Sequence, residues 1–275
     1  GPDGRVTAEA RPGRVCIAAA SWAQQTVKFR RTIDVQKLGL DPAKATLYAP
    51  EIPGFQPARL FAPDAAIPFS PGRGWLLIAD EEKHEVPPQV DAHQGRALLL
   101  EDAFPGDTLQ EPWKLTLSAQ PGNSLTVKDG ALQVHAAANT CAFAERPLPP
   151  GTTLVECRLF SGTDGGVSWG TGMGPVWPNA FLRLSVSAFR NFQGVDGGSE
   201  AFAGSSEQST WYYLRVRIEP DGIYAEASED GELWDLIRTF PRDRYPGDPI
   251  TLPLGKMGPK GCHLSTSDAA DALLC

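Results

Sequence analysis

The sequence has few histidines and cysteines and no apolar run long enough to span a membrane. It contains only four histidines and five cysteines, with no Cys-x-x-Cys or Cys/His spacing of the kind that binds structural zinc. No apolar run reaches about 18 residues, so we expect no membrane span. The net charge is -8. A nucleic-acid partner is therefore not expected, because it would need a clustered basic face.

The cysteines leave the redox state open. Cys141 and Cys157 fall in successive predicted strands and could form a disulfide if those strands pair. Cys262 and Cys275 could close a C-terminal loop, and the odd count leaves at least one thiol. Buried thiols without any disulfide are the alternative.

In place of helical periodicity, the chain has short runs of alternating apolar and polar residues separated by turns. The clearest region is 211–240, where Asp221-Gly222 and Asp230-Gly231 separate three such runs. Asp-Gly favours primed hairpin turns, whose central residues take positive φ. We therefore predict an antiparallel meander in which each strand has one buried and one solvated face.

The whole chain predicts an all-β protein, a small β-sandwich followed by a jelly-roll sandwich. Residues 1–13 are expected to be a flexible N-terminus and 14–82 the small sandwich. Residues 83–96 are polar, contain Pro87-Pro88 and lack periodicity, so we assign them to a linker. Residues 97–275 contain enough predicted strands for the two sheets of a jelly roll.

Five motifs follow one another in the second unit: AFPGDTLQEPWKL, LTVKDGALQVHA, WYYLRVRI, ASEDGELWDLI and LGKMG. In this order they resemble the concanavalin-A-like, laminin-G-like jelly rolls that serve as accessory modules of bacterial glycoside hydrolases and secreted proteins. The resemblance implies that a concave sheet and its loops hold the ligand. It also implies a final strand that returns beside the first. Either residues 272–275 begin that strand or a tail replaces it.

The first unit contains ASWAQQTVKFRRTIDVQKLGLDPAKATLYAPEI and a closing GRGWLLI. These segments resemble the small β-sandwich that follows the catalytic barrel in some glycoside hydrolases. The resemblance implies an upstream catalytic domain that acts in cis, a polysaccharide or oligosaccharide partner, and an extracellular or periplasmic location.

Aromatic and polar side chains alternate between residues 169 and 193, and we predict a glycan site there. Sugars stack on flat aromatic rings, while amide and guanidinium groups bind their hydroxyls. In the strand that begins near Phe181, the leucines would face the core and Arg183 the open face. Alternatively, the tryptophans pack between the sheets. The predicted ligand-binding residues are Trp169, Trp177, Asn179, Phe181, Arg183, Arg190 and Phe192.

Other chemistry has weaker support in the sequence. Glu226, Glu229, Asp230 and Glu232 could supply a carboxylate pair for glycoside cleavage, but most of them fall on a predicted hairpin turn. Asp164 and Asp196 could contribute to a calcium site, although no spaced ligand set accompanies them, and we predict no cofactor.

The resemblance of the five motifs and the aromatic and polar residues at 169–193 together imply a non-catalytic, carbohydrate-binding accessory region of a carbohydrate-active enzyme. Two alternatives stay open. One is a structural or protein-interaction module without glycan binding, and the other is a glycoside hydrolase that acts on a polysaccharide.

Overall fold

The computed structural model consists almost entirely of short antiparallel strands. It describes residues 4–23, 27–29, 33–52, 55–69, 74–86, 90–119, 122–137, 140–161, 170–187, 191–196, 199–203, 210–257 and 270–274. Within these ranges the helical structure is a single 3-10 turn at Arg242–Arg244. The all-β prediction is confirmed. The chain divides into two units, Gly1–Val90 and Asp91–Cys275, and the division falls inside the predicted linker.

The strands of the first unit are β1 (Gly4–Arg11), β2 (Arg14–Ser21), β3 (Val27–Phe29), β4 (Thr46–Ala49), β5 (Arg59–Phe61), β6 (Ile67–Phe69) and β7 (Gly74–Asp80). Five of them form one sheet in the order β1-β2-β7-β4-β5, and β3 pairs with β6. Val15 and Ile17 of β2 point inward, as their alternation predicts. The N-terminus differs from the expected flexible segment. A turn at Pro12-Gly13, where Gly13 has φ +75°, folds β1 back onto β2.

The second unit begins its strands with β8 (Lys114–Leu117), β9 (Ser124–Lys128), β10 (Ala131–Ala136), β11 (Ala142–Pro147), β12 (Leu154–Ser161), β13 (Thr171–Met173), β14 (Val176–Trp177) and β15 (Ala180–Ser187). It continues with β16 (Asn191–Asp196), β17 (Ser199–Ala203), β18 (Thr210–Ile218), β19 (Ile223–Ser228), β20 (Asp235–Phe240), β21 (Thr251–Lys256) and β22 (Ala270–Leu274).

These strands form two sheets. The β18 sheet has the order β20-β19-β18-β12-β22-β10-β9. The β15 sheet has the order β17-β16-β15-β13-β21-β11-β8, with β14 pairing to β15 and β21. One buried apolar cluster contains residues of both sheets, including Leu132, Leu184 and Leu214, each 0% exposed. The alternation in each strand directs one set of side chains into this core.

β22 is a final strand, but it does not return beside the first strand of the unit, because β8 belongs to the other sheet. β22 lies between β10 and β12 in the interior of its sheet, where Leu274 is opposite both Leu132 and Leu159. Cys141 and Cys157 do not form the disulfide that the sequence leaves open as an alternative. Cys157 is a buried thiol in the β18 sheet, whereas Cys141 precedes a strand of the other sheet and forms a disulfide whose second cysteine lies outside the described residues.

The prediction of primed turns is wrong at Asp221-Gly222, and at Asp230-Gly231 only the glycine takes positive φ, +78°. An Asp-Gly pair with the primed conformation lies in the hairpin between β9 and β10. Asp129 and Gly130 both take positive φ, +55° and +73°. The hairpin between β18 and β19 instead closes through the Glu219 N–H, which donates to the Gly222 carbonyl at 2.9 Å. Neither residue of its Asp-Gly pair has positive φ. Pro220 precedes the pair, and proline at this position favours turns with negative φ.

Candidate functional site

Two of the predicted ligand residues lie in the core between the sheets. Trp177 is 2% exposed, its Nε1 donates to the Gly247 carbonyl at 3.1 Å, and its ring meets Tyr245 edge-on. Phe192 is 5% exposed and meets Tyr212 edge-on. Their rings pack between the sheets, as in the alternative considered for the tryptophans.

Arg183 lies on the outer face of the β15 sheet and is nevertheless 2% exposed. Its Nη1 donates to the Met257 carbonyl at 2.5 Å and its Nη2 to Gln193 Oε1 at 3.2 Å. The Ser185 hydroxyl lies 3.5 Å from the same Gln193 oxygen. The structure thus builds a buried polar cluster around Arg183 in place of a solvated cationic surface.

The remaining predicted residues are dispersed. Phe181 is half-buried and shares the outward alternation of Arg183. Asn179 is exposed at the turn before β15. Trp169 and Arg190 lie outside the described residues. Ligand binding by this set stays a prediction, and Asn179 and Phe181 are its more accessible described members.

Two glycines form the centre of this face. The register places Ser185, Gly172, Gly255 and Phe143 in one row across four strands. A Cβ at Gly172 would lie 2.0 Å from the Leu184 carbonyl oxygen, so the close approach of β13 to β15 requires glycine. Met257 is buried beside Phe143 and Cys141. The described part of this face is therefore filled by the chain's own side chains.

The outer face of the β18 sheet carries a ladder of charges. Glu226 accepts from Arg215 Nε at 2.6 Å and from Arg217 Nε at 2.9 Å. Arg217 Nη1 reaches Glu219 Oε1 at 2.8 Å, and the same oxygen accepts from Arg96. Arg215, Arg217 and Glu226 are at most 6% exposed. The predicted solvated face is therefore wrong for these positions.

Aromatic rings exclude water from this ladder. The Arg215 guanidinium lies 3.9 Å from the Trp234 ring centroid, and that of Arg217 lies 4.6 Å from Tyr224. Burial favours the neutral forms of Glu219 and Arg217, but the paired charges have the larger effect on the pKa of each group. The pKa of Glu219 is lowered by hydrogen bonds from Arg96 and Arg217, and the pKa of Arg217 is raised by Glu226. Glu219 is thus held ionised.

These carboxylates are not arranged as a catalytic pair. The Arg217 guanidinium lies between Glu226 and Glu219 and occupies the space that a glycosidic bond would need. Asp230 Oδ1 accepts backbone N–H bonds from Glu232 and Leu233, which confirms its turn role. Glu226 and Glu219 therefore do not form the open acid/base pair that glycoside cleavage needs.

An aromatic patch lies beside the ladder on the same face and consists of Phe160, Trp211, Tyr213 and Arg158. The strand pairing sets Phe160 opposite Trp211 and Arg158 opposite Tyr213. The exposed Arg158 guanidinium lies 4.2 Å from the Trp211 ring centroid and 5.7 Å from that of Tyr213. All three rings are half-buried. The alternation of β18 could have identified this patch, because Trp211 and Tyr213 share the parity of Arg215.

Among the described residues of the first unit, Asp80, Glu82 and His84 form a cluster with metal-ligand chemistry, and their donor atoms lie within 4.8 Å of one another. Arg14 bridges both carboxylates, at 3.2 Å from Asp80 and 2.6 Å from Glu82. His84 Nε2 lies 2.7 Å from Asp80 Oδ1, and its ring stacks on Tyr48. Because a guanidinium already balances the carboxylates, the cluster reads as structural.

The predicted calcium ligands give a similar result. Asp196 Oδ2 lies 3.0 Å from Arg244 Nη1 and 3.5 Å from Arg238 Nη2, so cations of the chain already occupy its carboxylate. Asp164 lies outside the described residues. Among the residues that the structure describes, no helix is long and apolar enough to cross a membrane.

Fold and surface together describe a two-unit all-β protein, with a jelly-roll-like second unit that carries an outward aromatic patch. Residues 2–80 match the family model described as the C-terminal domain of glycoside hydrolase 123. This match relates the chain to carbohydrate-active enzymes and agrees with the resemblance of the first unit. None of the curated proteins matches the chain.

Several solved structures are similar to the chain. A laminarinase from Flavobacterium shares 12% identity over 65% of this chain and 97% of its own, with a TM-score of 0.42. The catalytic domain of a Thermotoga petrophila laminarinase shares 10% identity over 65% and 94%, with a TM-score of 0.39. A non-specific endo-β-1,3(4)-glucanase of family 16 shares 11% identity over 65% and 88%, with a TM-score of 0.43.

Proposed function

We propose that this chain is a non-catalytic accessory region of a carbohydrate-active enzyme, which binds a polysaccharide or oligosaccharide and acts in cis with an upstream catalytic domain. The observation that carries the proposal is the match of residues 2–80 to a domain that is C-terminal in a glycoside hydrolase family. The disulfide at Cys141 supports an extracellular or periplasmic location, because disulfides persist in oxidising compartments.

The aromatic patch is the surface best suited to a glycan. Its rings are half-buried and therefore fixed by neighbours while part of each stays accessible. Arg158 has no ion pair among the described residues, so its guanidinium can donate to sugar hydroxyls or to a uronate carboxylate. A sugar ring would stack beside Trp211 while Arg158 fixes its orientation.

A second surface is retained from the sequence prediction. Phe181 and Asn179 lie at the accessible end of β15, whereas Arg183 behind them is buried and bonded to Met257 and Gln193. On this surface Arg183 would hold the sheet face in shape, and Phe181 and Asn179 would contact the sugar.

The test is affinity electrophoresis and calorimetry against a panel of neutral and acidic polysaccharides. We expect binding to at least one glycan, with a roughly five- to thirty-fold loss for Trp211→Ala and for Arg158→Ala, since one stacking or charged contact contributes about 1–2 kcal/mol. Trp22→Ala removes a tryptophan that is 57% exposed in the other unit and should leave binding unchanged.

The outcomes separate the two surfaces. Loss with Phe181→Ala and Asn179→Ala, and none with the Trp211 and Arg158 variants, would move the site to the β15 sheet. No binding by the intact chain to any glycan of the panel would contradict the proposal and favour a structural spacer. Thermal melting of each variant shows whether a loss of binding reflects unfolding.

A further inference from the structure

β1 is an edge strand that presents open hydrogen-bonding groups. Within the described part of the chain it pairs only with β2, at one end of the sheet order. Residues 5–11 are exposed, including Val6 at 46%. An exposed edge of this kind is a template for another strand.

The turn at Pro12 determines which groups of β1 are free. Arg11 and Arg14 flank this turn and are opposite each other. Only two residues separate Arg11 from Arg14, so this pair closes the hairpin and must be a hydrogen-bonded pair. Hydrogen-bonded and non-bonded pairs alternate along the ladder. The odd-numbered residues of β1 therefore bond to β2, and the even-numbered residues direct N–H and C=O groups to the open edge.

This alternation of bonded and free residues restricts the registers in which a second strand can pair with β1. In an antiparallel pair of identical β1 strands, even residues must be opposite even residues. Two such strands are related by a two-fold axis. An axis at Thr7 satisfies this requirement and sets Val6 opposite Ala8 of the second copy. The same register sets Arg5 opposite Glu9, twice. An axis at Ala8 also satisfies the hydrogen bonds but sets Arg5 opposite Arg11, which is repulsive.

We infer that β1 pairs with β1 of a second copy of this chain, antiparallel about Thr7, and so joins two five-stranded sheets into one. The two faces of the strand agree with this register. Val6 and Ala8 are opposite Ala19 and Ile17 of β2, whose side chains point into the core. Pairing would cover these exposed apolar residues. The pairs Arg5–Glu9 fall at non-bonded positions, where facing side chains are closest.

Glu9 is available for this role. Its contact with Arg11 is 3.9 Å long, with both side chains about 80% exposed (79% and 82%), and exposed pairs of this kind contribute little. Charges on an edge strand ordinarily keep other strands away. In this register the charges of Arg5 and Glu9 on the two copies are complementary, so the β1 edge favours pairing with β1 of a second copy. The inference does not depend on glycan binding.

Sedimentation velocity of the intact chain from about 10 µM to about 1 mM tests the inference, since a two-strand interface is small and the dimer weak. We expect a concentration-dependent dimer. Arg5→Glu and Glu9→Lys should each weaken dimerisation about ten-fold or more, because each converts two opposite-charge pairs into two like-charge pairs. An equimolar mixture of the two variants should recover the dimer, since both pairs are then opposite in charge.

Ala8→Pro provides the backbone arm of the test. It removes an N–H that points to the open edge and leaves the β1–β2 bonds intact, so it should abolish the dimer while circular dichroism stays native. A monomer at every concentration would overturn the inference. Dimerisation that is unchanged by the Arg5, Glu9 and Ala8 substitutions would also overturn the inference and assign the contact to another surface. Failure of the mixed Arg5→Glu and Glu9→Lys variants to recover the dimer would have the same meaning.

Discussion

Arg217 shows how a single side chain can be anchored on a nominally outward sheet face. It donates to Glu226 with Nε and Nη2 and to Glu219 with Nη1, and its guanidinium lies against Tyr224. Burying charges costs free energy unless the partners satisfy them. Here two carboxylates accept hydrogen bonds from the nitrogens of the planar guanidinium. Lysine could not reproduce this arrangement.

The ladder predicts an acid-sensitive contribution from Glu219. The folded state holds the pKa of Glu219 below its ordinary value of 4.5. The ionised carboxylate therefore stabilises the fold above pH 4.5, and this contribution is lost as the pH falls through the lowered pKa. We expect Glu219→Gln to melt at a lower temperature than the wild type at pH 7, and the two melting temperatures to converge on acidification.

Thermal melts at pH 7, 5, 4 and 3 (roughly spanning the titration range of a carboxylate) measure this effect. Glu101→Gln, which removes an exposed carboxylate without an ion pair among the described residues, is the control and should follow the wild-type curve. A difference between Glu219→Gln and the wild type that stays constant down to pH 3 would contradict the electrostatic explanation.

At the scale of elements, the close approach of β13 to β15 depends on Gly172. Gly172→Ala would drive its Cβ into the Leu184 carbonyl of β15, at 2.0 Å. We expect a loss of about 3 kcal/mol in the free energy of unfolding, because neither backbone can move without losing pairing. Urea unfolding of the variant measures this loss.

Gly222→Ala is the matched control. Its Cβ would meet no atom closer than 3.5 Å, and its φ is not positive. Stability within about 0.5 kcal/mol of the wild type is expected there. Equal losses at Gly172 and Gly222 would show that the cost reflects glycine replacement in general.

The sequence correctly predicts the elements whose structure depends on residues close together in the chain. The alternation of Tyr212, Leu214 and Val216 fixes which face of β18 is buried, because each residue has only two faces to choose from. The Asp-Gly pair predicts the wrong type of turn at residues 221 and 222, because the preceding Pro220 favours negative φ. The covered outward face of β18 could not be predicted, because Trp234 belongs to a loop whose path alternation does not describe.

At the scale of the whole molecule, each unit has a core of its own, and we expect each to unfold in its own transition. Leu47, 1% exposed, lies in the first unit, and Leu214, 0% exposed, in the second. Replacement of either by alanine should cost about 2–5 kcal/mol. Scanning calorimetry should show Leu47→Ala lowering one transition and Leu214→Ala the other. Both substitutions shifting one common transition would indicate a single cooperative fold.

The site was harder to predict than the fold. The sequence indicated that Arg183 faces outward from β15, but it could not show that Met257 and Gln193 bury it. It placed Trp177 and Phe192 with the ligand residues, because aromatic composition alone does not separate a core ring from a surface ring. The predicted ligand residues do not include Trp211 and Tyr213. Their role depends on Arg158, which lies far away in sequence and meets them only through strand pairing.

The central position of β22 also bears on the order in which the protein is made. β10 and β12 are synthesised long before β22, yet they are separated in the sheet by it, since Leu274 is opposite both Leu132 and Leu159. On the ribosome the first unit can close as soon as β7 has emerged. The β18 sheet has to wait for residue 274, and until then two strands that face an empty position remain open to wrong partners.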